Sequence, residues 1–337
     1  MKTTGRLGSG FTLIELLVVI AIIALLLSIL LPSLHAAKEI AYSSVCMSHL
    51  RGAGGALSSY TTNNDDWMPG PNTSGMPYTL SQNIPLSQSS SSAYPTQNMD
   101  WVSPTLGEEL GLSDRGYNRL ADIFNSEFKC PSNKKLYDYF YDGSEQPIDG
   151  WIRSANPGVT KLYYSSYSAI LGFHVWNGAR VFQSLGAVTF PSHYRPKLRN
   201  INMPGRKVYA IDGARYISPQ NPPLSSFNEM PYQDDGGNFM LYGPPLGISG
   251  DPFTSLAQEM VLPGRTSLRE APNRSSIFRD YAYRHREGLN AVFFDGHCEH
   301  MSWKESLHIS YYLPSGSQII RAVSTADPDD INGQIIR

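Results

Sequence analysis

The segment FTLIELLVVIAIIALLLSILL, Phe11 to Leu31, is apolar except for Thr12, Glu15 and Ser28. As a helix it would span about 32 Å, close to the thickness of a bilayer's hydrocarbon core. Lys2 and Arg6 precede it, which predicts a short N-terminus in the cytoplasm and the bulk of the chain across the membrane. A cleaved secretory signal peptide fits poorly, because it needs small residues at minus three and minus one. Cutting PSLHAAKE after Ala36 or Ala37 puts Leu34 or His35 at minus three. A plain signal anchor accounts for the length but not for the acid. So pure an apolar run is not expected as a buried core helix.

Glu15 discriminates further. An ionisable group inside lipid costs on the order of a few kcal/mol, less near an end, and marks function. The stretch MKTTGRLGSG ends at Gly10. A cut after Gly10 would give Phe11 a free, charged amine. A carboxylate four residues on would pair with such an amine on a neighbouring chain. In low dielectric that attraction can set register between subunits, and truncating one partner strands the other.

These residues resemble the N-terminus of type IV pilins and type II secretion pseudopilins. The features are Gly10 before the cut, Phe11 after it, Glu15 as the fifth mature residue, and Pro32 closing the run. The resemblance covers about the first 50 residues. It implies a leader, residues 1–10, removed by an aspartic prepilin peptidase that also N-methylates Phe11. It also implies a filament whose core is a bundle of membrane half-helices, with Glu15 and the Phe11 amine as the contact between subunits.

Residues 11–62 are expected to form one long helix, transmembrane over 11–31. Pro32 should kink it, since proline lacks the amide proton and clashes with the preceding turn. Ile40, Met47, Leu50 and Leu57 share a face at helical period and should dock on the globular part. Gly52, Gly54 and Gly55 lower helix propensity, and TTNNDDW then stops the helix.

Residues 63–337 remain for a globular head. The 29 Gly, 24 Pro and 20 Tyr of the chain suit a loop-rich, β-containing domain. Lys plus Arg is 27 against 29 for Asp plus Glu, so there is no basic surplus for nucleic acid. The stretch 160–176 reads as strand, as does Lys207 to Ile211, ending at Asp212-Gly213. The Ser-rich stretch within 70–100 reads as a surface loop, and 231–252 as too rich in Gly and Pro for regular structure.

Near the C-terminus, NAVFF and HCEHMSW flank Asp295-Gly296. This predicts a two-residue hairpin with positive φ at both central positions. His285 lies ten positions before Asp295. His285, Asp295 and Gly296 resemble the H-X9-DG element of a bacterial subfamily of pilin-like proteins. Its members pair this element with a prepilin-type N-terminus, a mid-chain Cys-Pro-Ser and a Cys ending the first helix. Cys130-Pro131-Ser132 and Cys46 match, although CMSHLRG after Cys46 is a looser fit. The expected fold class is α+β: a long N-terminal helix packed on an antiparallel sheet, with large loops.

His285, Asp295, His297, Glu299 and His300 crowd one hairpin, with Cys298 among them. Strand alternation puts His297 and Glu299 on the face opposite Cys298 and His300, which opposes a metal site. The expectation is that His285 bonds backbone or Asp295 and pins the hairpin. Asn64, Asp65 and Asp66 offer oxygen ligands for calcium, but EF-hand spacing is absent and the same residues terminate helices. The expectation is therefore no metal, with calcium there the minor alternative. Cys46 and Cys130 are the candidate disulfide pair in an oxidising compartment, with Cys298 a buried thiol. The 142–151 stretch holds carboxylates in no recognisable arrangement. No G-x-S-x-G, H-E-x-x-H or phosphate-cradling glycine loop occurs, so the chain is read as a non-enzyme without a cofactor.

The expected function is a structural subunit, pilin or pseudopilin, of a type IV pilus-like or type II secretion filament. Its expected partners are prepilin peptidase, other pilin or pseudopilin subunits and the bacterial inner membrane, with no nucleic acid. It would cross that membrane once, with the head in the periplasm and, after assembly, in a periplasmic or extracellular filament. The alternative is a membrane-tethered periplasmic protein whose Tyr- and Trp-rich head binds carbohydrate without polymerising.

Overall fold

Helix α1 runs unbroken from Leu13 to Asn63, 51 residues, in the computed structural model. The structure describes residues 11–70, 73–74, 90–95, 100–125, 128–134, 163, 166–174, 176–178, 188–213, 239–240, 283–302, 304–320 and 333–337. The leader 1–10 with Gly10, most of the Ser-rich stretch, the 142–151 carboxylates and most of 231–252 lie outside them. The chain forms two compact units, Met1–Ala41 and Tyr42–Arg337.

In the first unit the apolar side chains from Leu13 to Leu34 are solvent-exposed. The helix passes through Pro32 without a break, while Ser28 and Ser33 turn their hydroxyls back onto the carbonyls of Leu25 and Leu30. This part of α1 is long and apolar enough to cross a bilayer.

The rest of α1 has a buried face at Ser43, Cys46, Leu50, Ala53, Gly54, Leu57 and Thr61. Steps of three and four residues put these on one stripe. Leu50 and Leu57 lie on it as expected. Ile40 is exposed and Met47 only half-buried, because the stripe centres on Cys46 and the small residues Ala53 and Gly54. A Cβ on Gly54 would come within 3.0 Å of Val292 Cγ2. Gly54 is thus where the helix backbone approaches the sheet, beyond its effect on helix propensity. Burying Leu50 and Leu57 contributes roughly 1.5–3 kcal/mol each.

The sheet contains β1 (Tyr167–Ile170), β3 (Val208–Asp212), β4 (Phe239–Met240), β5 (Gly288–Phe293) and β6 (Cys298–Ser302), in the order β4-β1-β3-β5-β6. The β1-β3, β3-β5 and β5-β6 pairs are antiparallel, as expected of the class; the short edge strand β4 joins β1 in parallel. That edge strand falls in a stretch whose composition reads as irregular. Two residues suffice for it, because the pairing uses backbone groups that flanking Gly and Pro do not remove. A separate pair joins β2 (Val188–Thr189) to β7 (Gln318–Ile319). Strands β1, β3 and β5 are buried along their whole length, with Ser168, Asp212 and Asn290 as polar residues among the apolar ones. Short helices α2 (Val102–Leu106) and α3 (Gly116–Asn125) follow α1 in the chain. Buried Trp101 packs edge-on against Tyr209 and Phe128, at 5.6 and 6.4 Å between ring centres.

The hairpin at Asp295-Gly296 differs from the two-residue turn expected. Gly296 has φ 87°, whereas Asp295 is not in the positive-φ region. Gly296 N donates to Phe293 O and Phe293 N to His297 O. This is a three-residue loop, closed by a glycine in the left-handed position. The turn with two successive positive φ values lies upstream instead. Arg286 (52°) and Glu287 (60°) carry it, and His285 and Gly288 bond to each other across it.

The glycines of α1 give a direct test. Gly52 and Gly55 are exposed, with nothing near a Cβ, so Gly52→Ala or Gly55→Ala is expected to stabilise by about 1 kcal/mol. Gly54→Leu is expected to destabilise by about 1–3 kcal/mol. Thermal unfolding of the detergent-solubilised full chain reads all three.

Candidate functional site

At the N-terminus the helix opens with Thr12-Leu13-Ile14-Glu15. Glu15 Oε2 accepts from Thr12 N at 2.8 Å and from Thr12 Oγ1 at 2.7 Å, while Glu15 N donates to Thr12 Oγ1 at 3.3 Å. This reciprocal arrangement is a capping box. Within one chain the acid thus already satisfies donors at the helix start, a role that its spacing from Thr12 carries in addition to any pairing between subunits. Phe11 is exposed, one residue before the cap.

The second site lies under the sheet. Cys130 begins the Cys-Pro-Ser-Asn turn, in which Asn133 N donates to Cys130 O at 2.9 Å and Asn133 Nδ2 to Ser166 Oγ at 2.9 Å. Pro131 presets that turn. Cys46 comes from the buried stripe of α1, and its Sγ lies 2.9 Å from that of Cys130. His285 Nε2 is 3.4 Å from Cys130 Sγ and 3.2 Å from Asp212 Oδ2. All four residues are fully buried. Asn290 on β5 completes the network. Its N and Nδ2 donate to the two Asp212 oxygens at 2.9 and 3.0 Å, and its Oδ1 accepts from Ser43 of α1 at 3.1 Å.

The H-X9-DG spacing has a plain geometric meaning here. His285 closes the turn that enters β5, the strand runs six residues, and Asp295-Gly296 form the turn that leaves it. The His285 ring partners Asp212 and Cys130, not the backbone or Asp295 as expected, because the entry turn aims it beneath the sheet. Asp295 instead accepts from His297 N at 3.1 Å and faces His297 Nδ1 at 2.5 Å. Slight burial opposes ionisation of Asp295, but these bonds hold its carboxyl below the usual range. Asp212 and Asn290 are members of the site that the sequence does not single out. Asp212-Gly213 reads only as the end of a strand, and no local pattern links it to a histidine 73 positions away.

Burial alone would lower the pKa of His285, but its bonds to Asp212 and Cys130 push it up to about 10. Burial raises Cys130, and its bonds to Cys46 and His285 more than offset this and hold the thiol well below its usual range. The bond to Cys130, then burial, push Cys46 up. A nucleophilic Cys-His-Asp triad uses two different ring nitrogens. Here Nε2 faces both partners, and Nδ1 has no hydrogen-bond partner among the described residues. The geometry is that of a buried charge cluster.

Among the described residues, Cys46, Cys130 and His285 are the His, Cys and acidic groups whose donor atoms gather within 4.8 Å. The hairpin residues His297, Glu299 and His300 are not among them. Half-buried Cys298 lies on β6; burial raises its thiol and Arg51 opposes the shift. Asp65 pairs with Lys197 at 2.8 Å and Asp66 with Arg199 at 3.6 Å. Asn64 Nδ2 donates to Tyr60 O at 2.8 Å. The three oxygen-bearing residues thus close the helix and anchor the 197–199 segment. A cleft of about 650 Å³ nearby is lined by Tyr60, Asn63, Asn64, Tyr94, Pro95 and Glu108, among others.

Comparison with known proteins matches residues 6–31 to the prokaryotic N-terminal methylation motif. The chain is also similar to the type IV wide pilus major component PilA4 of Thermus thermophilus, 52% identical over 48 residues. That match covers 14% of this chain and 37% of the relative. No solved structure matches the chain. The N-terminal segment of this chain is therefore prepilin-type and similar to that of type IV pilins.

His285 supplies the test of the buried cluster. Its folded pKa is raised, so the stability it contributes is complete below about pH 6.5 and lost as pH rises through about 10. His285→Ala leaves Asp212 buried without its cation. The expected loss is about 3–5 kcal/mol, read at pH 7 as a fall of roughly 10 °C in Tm.

Proposed function

We propose that the chain is a structural subunit, pilin or pseudopilin, of a type IV pilus-like or type II secretion filament. The observation that carries this reading is the prepilin-type segment: a methylation motif at 6–31 leading into an exposed apolar helix with Glu15 in its first turn. A prepilin peptidase cuts between Gly10 and Phe11 and methylates the Phe11 amine. The chain crosses the bacterial inner membrane once, with its head in the periplasm. On assembly the apolar helices leave the bilayer and pack together, and Glu15 pairs with the Phe11 amine of an adjoining subunit. No catalytic role and no cofactor are assigned to the head.

The alternative, a tethered carbohydrate-binding protein, draws support from the hydroxyl- and amide-lined cleft flanked by Tyr60 and Tyr94. It shares the processing and makes no use of the Glu15 charge.

Glutamine separates the two roles of Glu15, because it can replace glutamate in a capping box yet carries no charge. In cells, Glu15→Gln and Glu15→Ala are both expected to lower the amount of this chain in sheared filaments by roughly tenfold or more. Negative-stain microscopy with mass spectrometry of the sheared material reads the result. Full incorporation of the Gln variant would leave only the capping role, incorporation of both would remove the Glu15–Phe11 contact, and absence of the wild-type chain from sheared filaments would overturn the filament reading.

A further inference from the structure

We propose that Cys46 and Cys130 form a disulfide-forming site, primed by His285 and Asp212, whose closure covalently ties α1 to the head. The two sulfurs are 2.9 Å apart, much closer than two thiols in ordinary contact. Two thiolates on one tetrahedral zinc, each at about 2.3 Å from the metal, would stand roughly 3.8 Å apart. The separation is shorter than that spacing and approaches the covalent S–S distance of about 2.05 Å, so the pair is placed for a bond between the two sulfurs. His285 Nε2, 3.4 Å from Cys130 Sγ, supplies the positive charge that a Cys130 thiolate needs, and Asp212 neutralises the imidazolium in turn. Cys130 is the attacking sulfur and Cys46 the resolving one, consistent with the opposite directions in which their thiols are shifted.

The oxidant is an external disulfide, small or borne by a protein. Cys130 thiolate attacks one of its sulfurs, breaking that bond and releasing the other sulfur as a thiolate, which takes the Cys46 proton. Cys46 thiolate then attacks Cys130 Sγ in the mixed disulfide and expels the second carrier sulfur, which is protonated from solvent. Two protein thiols are oxidised and one external disulfide is reduced to two thiols. Both sulfurs are fully buried in the folded head, so a local opening that exposes Cys130 with His285 still beside it admits the carrier, and closure brings Cys46 up to resolve the mixed disulfide and shields the bond from reductant. The bond encloses the segment between α1 and the Cys-Pro-Ser turn, a long loop whose closure restricts the unfolded chain.

The test uses the full chain purified in detergent, reduced, and refolded with oxidised glutathione. It is then denatured and labelled with a maleimide without further reductant. Of the three cysteines in the sequence, only Cys298 is expected to take label, and peptide mapping should recover a Cys46–Cys130 crosslink. The oxidised wild type should unfold about 10 °C above the reduced form, and Cys46→Ser should unfold at the same temperature under both conditions. Label on all three cysteines, a bond involving Cys298, or zinc bound in equimolar amount through the labelled thiols would overturn the proposal. The readout needs no filament, so it fails or succeeds apart from the assembly reading.

Discussion

A carboxylate with no access to water organises the head of this protein. Asp212 sits at the end of the central strand β3, and both of its oxygens are taken by Asn290 while one also faces His285. Leaving such a charge unpaired in a low-dielectric interior would cost several kcal/mol. Each partner that compensates it belongs to another part of the fold. Asn290 carries the connection to Ser43 on α1, and His285 carries it to Cys130 in the Cys-Pro-Ser turn. Sheet, helix and loop are therefore held in one relative arrangement by a polar hub, around which Leu50, Leu57, Tyr167 and Phe128 supply the apolar packing.

The same hub explains why a histidine and an Asp-Gly pair stand at this spacing. The interval is the length of β5 with a turn at each end. A residue inserted into β5 would move every later side chain to the other face of the sheet. It would also alter the separation of the turn that aims His285 from the turn that Gly296 closes. The spacing thus follows from a strand length and two turn geometries, and no ligand is needed to account for it.

Much of this architecture is legible in the residues. The apolar run, the acid near its start and the strand-like runs 207–211 and 290–294, which fall on β3 and β5, stand out because their patterns are local. Cys46 and Cys130 are the expected pair, and the structure brings those sulfurs together. What stays hidden depends on three dimensions. Asp212 reads only as the end of a strand, and its histidine partner lies far along the chain. Gly54 reads as a helix weakener, and only the packed structure shows Val292 against it. Asp295-Gly296 reads as a two-residue turn, but the loop takes a third residue and only the glycine is left-handed. The capping box at Thr12 and Glu15 is a local pattern too, masked because an acid in an apolar run points first to a partner on another chain.

The central claim is that His285 is a buried imidazolium bound to Asp212. It is tested most directly by following the ring protons and nitrogens of His285 by NMR in the labelled, reduced full chain as pH is raised. The account predicts a protonated ring at pH 7 that releases its proton only near pH 10. A neutral ring at pH 7, or a titration near the ordinary histidine value of about 6.5, would contradict it.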